Sequence, residues 1–195
     1  KVTGGKERIR HFMVTHKIAD VSDAQVEALH RTKNRIYADF VQTGMIPLRP
    51  GMAALINEAR AADLTLALAT TTSMINVEAL LGVAFGPEWR RLFPVVVSGE
   101  MVAMKKPAPE AYVIALRQLG LGAQEVVAIE DSRNGLLAAT GAGLRTLCVR
   151  SQYCVDDDLG GAAAILDDGD DWTLARVNAA FVSLQCSDEN STVAS

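Results

Sequence analysis

Val126-Val127-Ala128-Ile129-Glu130-Asp131-Ser132-Arg133-Asn134-Gly135 is the stretch on which the reading of this chain turns. Val126–Ile129 is a short apolar run rich in β-branched residues, the composition of a strand buried on both faces of a parallel sheet. It ends in two adjacent carboxylates, Glu130 and Asp131. Ser132, Asn134-Gly135 and a helical pattern over Leu136–Ala142 follow, with Gly143 as the stop. Strand, acidic turn and helix present side chains at the carboxyl edge of an open α/β sheet, where ligands bind. Paired carboxylates there suit a hard cation, because they offer oxygen donors and leave room for water and a phosphate oxygen. The competing reading is an ordinary helix N-cap, with Asp131 or Ser132 satisfying orphan amides and Glu130 solvated. The segment alone does not separate the two.

Outward from this point the same texture repeats. Leu64–Ala69 reads as a strand, followed by Thr70-Thr71-Thr72-Ser73 and a helix through Leu81. Phe93–Val97 is a strand, Pro109–Leu119 a helix closed by Gly120, and Thr146–Val149 and Ala163–Leu166 further strands. Trp172–Leu184 reads as a terminal helix and 187–195 as a polar tail expected to be disordered. Alternating strands and helices give an α/β fold with a mostly parallel sheet.

Residues 1–47 carry no strand signal. Lys6–Lys17 places Ile9, Phe12 and Met13 on one helical face, and Ser22-Asp23-Ala24-Gln25 has the form of a capping box. The helix it opens carries Val26, Leu29, Ile36, Tyr37 and Phe40 as an apolar stripe, with Lys33 inside it. Lys33 is expected to snorkel from that stripe to solvent. Gly44, Pro47 and Pro50-Gly51 mark a boundary. The division expected is a helical cap over 1–47, a core over 48–186 and the tail.

The totals narrow the function classes. With 195 residues, 49% of them hydrophobic, the chain can bury one good core plus a small appendage. Its net charge of −4 gives no footprint for nucleic acid or an anionic membrane. Three cysteines, Cys148, Cys154 and Cys186, lack zinc or disulfide-framework spacing and point to a reducing compartment. No apolar run approaches the roughly 18 residues of a membrane span. His11, His16 and His30 have no ligand spacing. The expected setting is cytoplasmic, or the plastid stroma for a plant or algal source, and the expected state is monomeric.

Two further strand-end clusters accompany Glu130-Asp131. Four consecutive hydroxyl residues, Thr70 to Ser73, stand where a strand hands over to a helix, a place for a phosphate cradle reinforced by the helix dipole. Routine capping is the alternative, but one cap does not require four hydroxyls. In Lys105-Lys106-Pro107-Ala108-Pro109 the prolines stiffen the chain after Lys106, so its ammonium leaves a fixed position; a solvated basic pair is the alternative.

Hydroxyl after a strand, Lys-Pro, then Glu-Asp-Ser-x-x-Gly: in this order the chain resembles the haloacid dehalogenase superfamily of phosphohydrolases. Ala67-Leu68-Ala69-Thr70-Thr71-Thr72 matches its second motif, Lys106-Pro107 the third and Glu130-Asp131-Ser132 the fourth. Gly4-Gly5-Lys6-Glu7-Arg8 in the helical cap, Thr-Thr-Thr-Ser and Lys-Lys-Pro-Ala-Pro are most similar to the CbbY-type subgroup near β-phosphoglucomutase. The resemblance implies a Rossmann-like parallel core with a small helical cap. It also implies a Mg²⁺-dependent phosphatase acting on a small sugar bisphosphate, xylulose 1,5-bisphosphate, through an aspartyl-phosphate. Thr70 and Lys106 would be catalytic and Glu130 and Asp131 would hold Mg²⁺. Gly5, Lys6, Arg8, Thr71, Thr72, Ser73 and Asn134 would bind substrate or its phosphates.

One departure is large. The family's first motif, Asp-x-Asp-Gly-Thr ahead of the cap, supplies the nucleophile, and residues 1–195 do not contain it. The Asp-x-Asp in Asp156-Asp157-Asp158-Leu159-Gly160 follows the last motif and reads as an exposed loop. The chain also opens on Lys1 in a stretch that runs straight into the cap. The expectation is that the first core strand and its nucleophile precede this sequence, and that the fragment alone is inactive. The strands ending at Ala69 and Ile129 should then be unpaired with each other and roughly 9–10 Å apart. A phosphosugar mutase, a non-catalytic α/β binding protein and an inactive fragment remain the alternatives.

Overall fold

In the computed structural model, residues 2–18, 21–152, 154–167 and 172–179 are described. Helices α1 (Gly5–Thr15) and α2 (Asp23–Gln42) form the cap; α3 (Pro50–Ala61) opens the core. The core continues through β1 (Ala67–Ala69), α4 (Met74–Phe85), α5 (Trp89–Leu92), β2 (Val95–Val97) and α6 (Glu110–Leu119). It then runs through β3 (Val127–Glu130), α7 (Arg133–Gly141), β4 (Arg145–Arg150) and β5 (Ala164–Asp167). All strand pairs are parallel, β1 with β2 and β3-β4-β5 in that order. Among the described residues β1 and β3 are not paired with each other.

Period-2 alternation sorts the strand side chains between two helical layers. Val127, Ile129, Leu147 and Val149 face Leu55 of α3 together with Leu166 and Trp172. Ala128 points the other way, packing with Tyr112 of α6 and Ala138 and Ala139 of α7. In the other sheet Leu68 and Val96 meet Ile56, Val77 and Phe93, while Ala69, Val95 and Val97 meet Ala111 and Ala115 of α6. Ala69 touches both clusters under α6, so this helix, alanine-lined for close approach, ties the two sheets together. Leu136 and Leu147, both nearly sealed from solvent, each contribute about 1.5–3 kcal/mol by burial.

The element order follows the expectation, with the first two strands shorter and β4 longer than read. β1 omits Leu64–Leu66, and β2 starts two residues after Phe93. α7 starts at Arg133 because the Ser132 hydroxyl accepts the Gly135 N–H and caps it there. The short α5 was not anticipated. Residues 174–179 are helical; the rest of the expected Trp172–Leu184 helix and the 187–195 tail lie outside the described residues.

The capping box on α2 forms as read, with Ser22 and Gln25 bonding each other's backbone amides. The apolar stripe does not set the helix face. Of the stripe Val26 is buried, but Leu29, Ile36 and Phe40 are about half exposed, and His30, Asn34 and Val41 are buried in their stead. Polar contacts explain the choice: Asn34 Nδ2 donates to Ser73 Oγ (3.0 Å), and Asn76 Nδ2 on α4 donates to Asn34 Oδ1 (3.2 Å). A face that satisfies buried amides wins over one that only hides apolar surface. Among the described residues, no helix is long and apolar enough to cross a membrane.

Candidate active site

The site is built where β1 and β3 end side by side. Lys106, buried just ahead of α6, extends its ammonium across the carboxyl ends of both strands. Its Nζ donates to the carbonyl oxygen of Ala69 at 2.9 Å and to Oε1 of Glu130. The side chains of this ion pair are 10% and 9% exposed, so solvent hardly screens it. The Tyr112 hydroxyl donates to the same Glu130 oxygen, and its ring lies 4.6 Å from the Lys106 ammonium. Burial, reinforced by Glu130, holds the Tyr112 phenol protonated far above its usual range. Glu130 thus anchors Lys106.

The Lys106-Pro107 peptide is cis, and Glu110 at the start of α6 accepts the Ala103 (3.0 Å) and Met104 (2.6 Å) N–H groups. The loop bearing the lysines is therefore bound to the helix it precedes. Gly135 completes the corner: a Cβ there would collide with the Glu130 carboxylate, which lies over the first turn of α7. This is the physical content of the Ser-x-x-Gly spacing.

Asp131 follows Glu130 and opens to solvent on one side. Protein packed around its other side, then the neighbouring Glu130 charge, push its carboxyl above the usual range; Arg49 and Lys106 oppose the rise. Cys148, paired with Glu130 across β3 and β4, is pushed up to about 11 by burial and the same two carboxylates. A carboxylate crowded by a second negative charge, with solvent beside it, fits a hard divalent cation completed by water and phosphate oxygens. Among the described residues, no three His, Cys, Asp or Glu side chains gather as a ready-made metal cage.

The hydroxyl cluster is distributed among several tasks. Thr70 Oγ1 accepts the Thr72 N–H (3.1 Å), which leaves the Thr70 proton to donate outward. Thr72 Oγ1 accepts from Asn76, and Ser73 Oγ accepts from Asn34. The N-terminus of α4 is capped by Glu100, whose Oε2 takes the Met74 N–H (3.1 Å) and the Ser98 hydroxyl (2.8 Å). Burial raises the Glu100 carboxyl, but those donors outweigh it and hold it below its usual range. An ionised carboxylate at this helix end disfavours a phosphate there. Thr72 and Ser73 therefore share this helix end with Glu100: their oxygens accept from Asn76 and Asn34, while both residues also line the cleft between α1, α2 and α4.

Beside the corner, cap and core enclose a cleft of about 610 Å³ lined by Gly5, Lys6, Arg8, Lys33, Thr71 and Lys105, among others. Lys6 pairs with Glu27 at 2.5 Å, while Lys105 donates to the Gly99 carbonyl (2.6 Å) and lies 3.9 Å from Glu7. Lys33 lines this cleft, contrary to the expectation that it snorkels away; burial and then nearby Arg8 lower its pKa. Gly5 packs directly on the His30 imidazole, where a Cβ would not fit. Asn134, half-buried in the first turn of α7, is not among the residues lining the cleft. Asp157, in a loop whose neighbours Asp156 and Asp158 are exposed as expected, accepts the Arg133 N–H (3.0 Å) at the start of α7.

Four residues of this arrangement were absent from the sequence reading: Tyr112, Glu100, Asn34 and Arg49. Only Tyr112 left a usable signal, an aromatic with a polar tip in the first turn after Lys-Pro-Ala-Pro, on a buried helix face.

Comparison with known proteins places the chain in a family. Residues 2–143 match the model of the haloacid dehalogenase-like hydrolase family. The chain is 46% identical over 165 residues to Protein CbbY of Cereibacter sphaeroides, covering 85% of this chain and 71% of that protein. It is similar to the crystal structure of a Rhodobacter sphaeroides CbbY mutant in complex with xylulose-1,5-bisphosphate. That similarity has a TM-score of 0.82 at 44% identity and covers 89% of this chain and 77% of the other. A β-phosphoglucomutase from Clostridium difficile shares the fold, with a TM-score of 0.77 at 16% identity over 94% of this chain and 79% of the other.

Proposed function

This chain belongs to the haloacid dehalogenase-like hydrolases, and from that premise we propose that it serves a phosphatase acting on a small sugar bisphosphate, xylulose 1,5-bisphosphate. The observation that carries the reading is the Lys106 ammonium, bonded to Ala69 beside Thr70 and to Glu130 beside Asp131, next to a cleft lined by further cations.

In this reading Lys106 balances the charge that grows on the phosphoryl oxygens during transfer, and it does so from a position already fixed by Ala69, Glu130 and Tyr112. Thr70 donates its remaining hydroxyl proton to one of those oxygens. Asp131 holds Mg²⁺, which when bound supplies positive charge to substrate phosphate; Glu130 serves as the anchor of Lys106 rather than as a second ligand. Arg8 and Lys33 on the cap receive the distal phosphate, with Lys6 and Gly5 shaping the same wall. None of these residues attacks phosphorus. That step is assigned to the aspartate of the family's Asp-x-Asp-Gly-Thr motif, which would form an aspartyl-phosphate for water to cleave.

The test uses the natural protein, expressed with any residues that precede Lys1. Phosphate release from xylulose 1,5-bisphosphate should be fast with Mg²⁺, abolished by a chelator and restored by added Mg²⁺. The same substrate lacking one phosphate should react far more slowly. Isomerisation of a phosphosugar without phosphate release would overturn the reading in favour of a mutase.

A further inference from the structure

The acidic run Asp156-Asp157-Asp158 has no part in the chemistry above, yet it is tied to it by a reciprocal set of bonds. Asp157 Oδ2 accepts the backbone N–H of Arg133 at 3.0 Å. Arg133 answers with its guanidinium: Nη1 donates to the carbonyl oxygens of Asp158 (3.0 Å) and Gly160 (2.9 Å). The loop is closed on itself by the Gly160 N–H, which donates to Asp158 Oδ1 at 2.8 Å. Leu159 between them is 3% exposed and packs on Leu136 of α7 and Cys148 of β4.

These contacts bracket Asp131. On its amino side, Glu130 is paired with Cys148 of β4. On its carboxyl side, Arg133 is held by the loop that follows β4. Only Asp131 and Ser132 span the interval, and the Ser132 hydroxyl is itself bonded to the Gly135 N–H at 3.2 Å. The backbone at Asp131, from which its carboxylate projects, is thus held from both ends by β4 and its loop.

We propose that Asp157 and Arg133 are positioning residues: through the turn they share, they aim the Asp131 carboxylate for binding a divalent cation. Partners one layer behind a metal ligand typically alter metal affinity or activity by about 10–100-fold. A loop that served only to close the fold would change stability and leave the affinity of the folded protein untouched. The inference rests on the assignment of Asp131 as the metal-holding carboxylate.

The experiment is calorimetric titration of Mg²⁺ into the natural protein and its variants, with a melting curve for each. Asp157→Ala should raise the Mg²⁺ dissociation constant by about tenfold or more. Asp157→Asn, which retains a side-chain oxygen to accept the Arg133 N–H, should stay within about threefold of the parent. Arg133→Lys keeps the charge but loses the fork to two carbonyls, and should weaken binding by at least about threefold. If Asp157→Ala does not fold, Arg133→Lys decides. A lowered melting temperature with an unchanged dissociation constant overturns the inference while the metal assignment stands. A parent protein that takes up no Mg²⁺ overturns the metal assignment, and the inference with it.

Discussion

The corner around Lys106 and the cleft beneath the cap both gather charge, but they hold it differently. In the corner, one ammonium and one carboxylate, each about nine-tenths buried, are fixed by a strand-end carbonyl, a phenol and the glycine that makes room for them. In the cleft, the Lys6–Glu27 pair is 40% exposed on both sides, and Lys33 is crowded by Arg8. A buried charge held by several bonds cannot follow a ligand, so its energy is available where charge develops in a transition state. An exposed pair exchanges partners easily and is worth little by itself. In the proposed reading the corner serves reaction and the cleft recognition.

Replacing Lys106 by Ala breaks that contrast most severely. The turnover number should fall by about 10²–10³ with little change in KM, as measured by steady-state phosphate release. The opposite signature should come from the cap. Arg8→Ala, which removes a forked donor, should raise KM for a bisphosphate by about tenfold while leaving a monophosphate within about twofold. Equal effects on both substrates would sink the division between the two regions. Tyr112→Phe keeps the ring beside Lys106 but removes one donor to Glu130, so a loss near 1 kcal/mol, about fivefold in turnover, is expected.

The smallest effect concerns pH. Burial, with Lys33 and Lys6 nearby, depresses the His30 pKa below its ordinary 6.5. Above that value both folded and unfolded chains carry a neutral imidazole. As pH falls through it, the unfolded chain takes up the proton first, so stability is lost toward the lower folded pKa. Melting temperature should drop between pH 7.5 and about 5.5, and His30→Gln should show a smaller drop.

What could be read in advance was local. Val126–Gly135 carries its strand, its turn and its helix cap in consecutive residues, and the Lys-Pro and hydroxyl clusters are likewise self-contained. The pairing of Lys106 with Glu130 joins residues 24 positions apart and has no local trace. The α2 face misled in part for a physical reason: Leu29, Ile36 and Phe40 lie toward solvent, while Asn34 and His30 turn inward beside Val26 and Val41 to meet α4 and Gly5. Among the four adjacent hydroxyls, nothing nearby in the chain announces that Glu100 caps that helix or that Asn34 and Asn76 donate to two of them. The loop over 156–160 forms as read, but the contact of Asp157 left no local trace, since its partner belongs to another strand–helix unit.

Two pairs of neighbours, Thr70-Thr71 and Lys105-Lys106, each give one side chain to the corner and the other to the cleft. Consecutive Cα atoms are only about 3.8 Å apart, so the molecule contains a ruler graduated in single peptide units. A shift of either backbone segment therefore moves a corner residue and a cleft residue together.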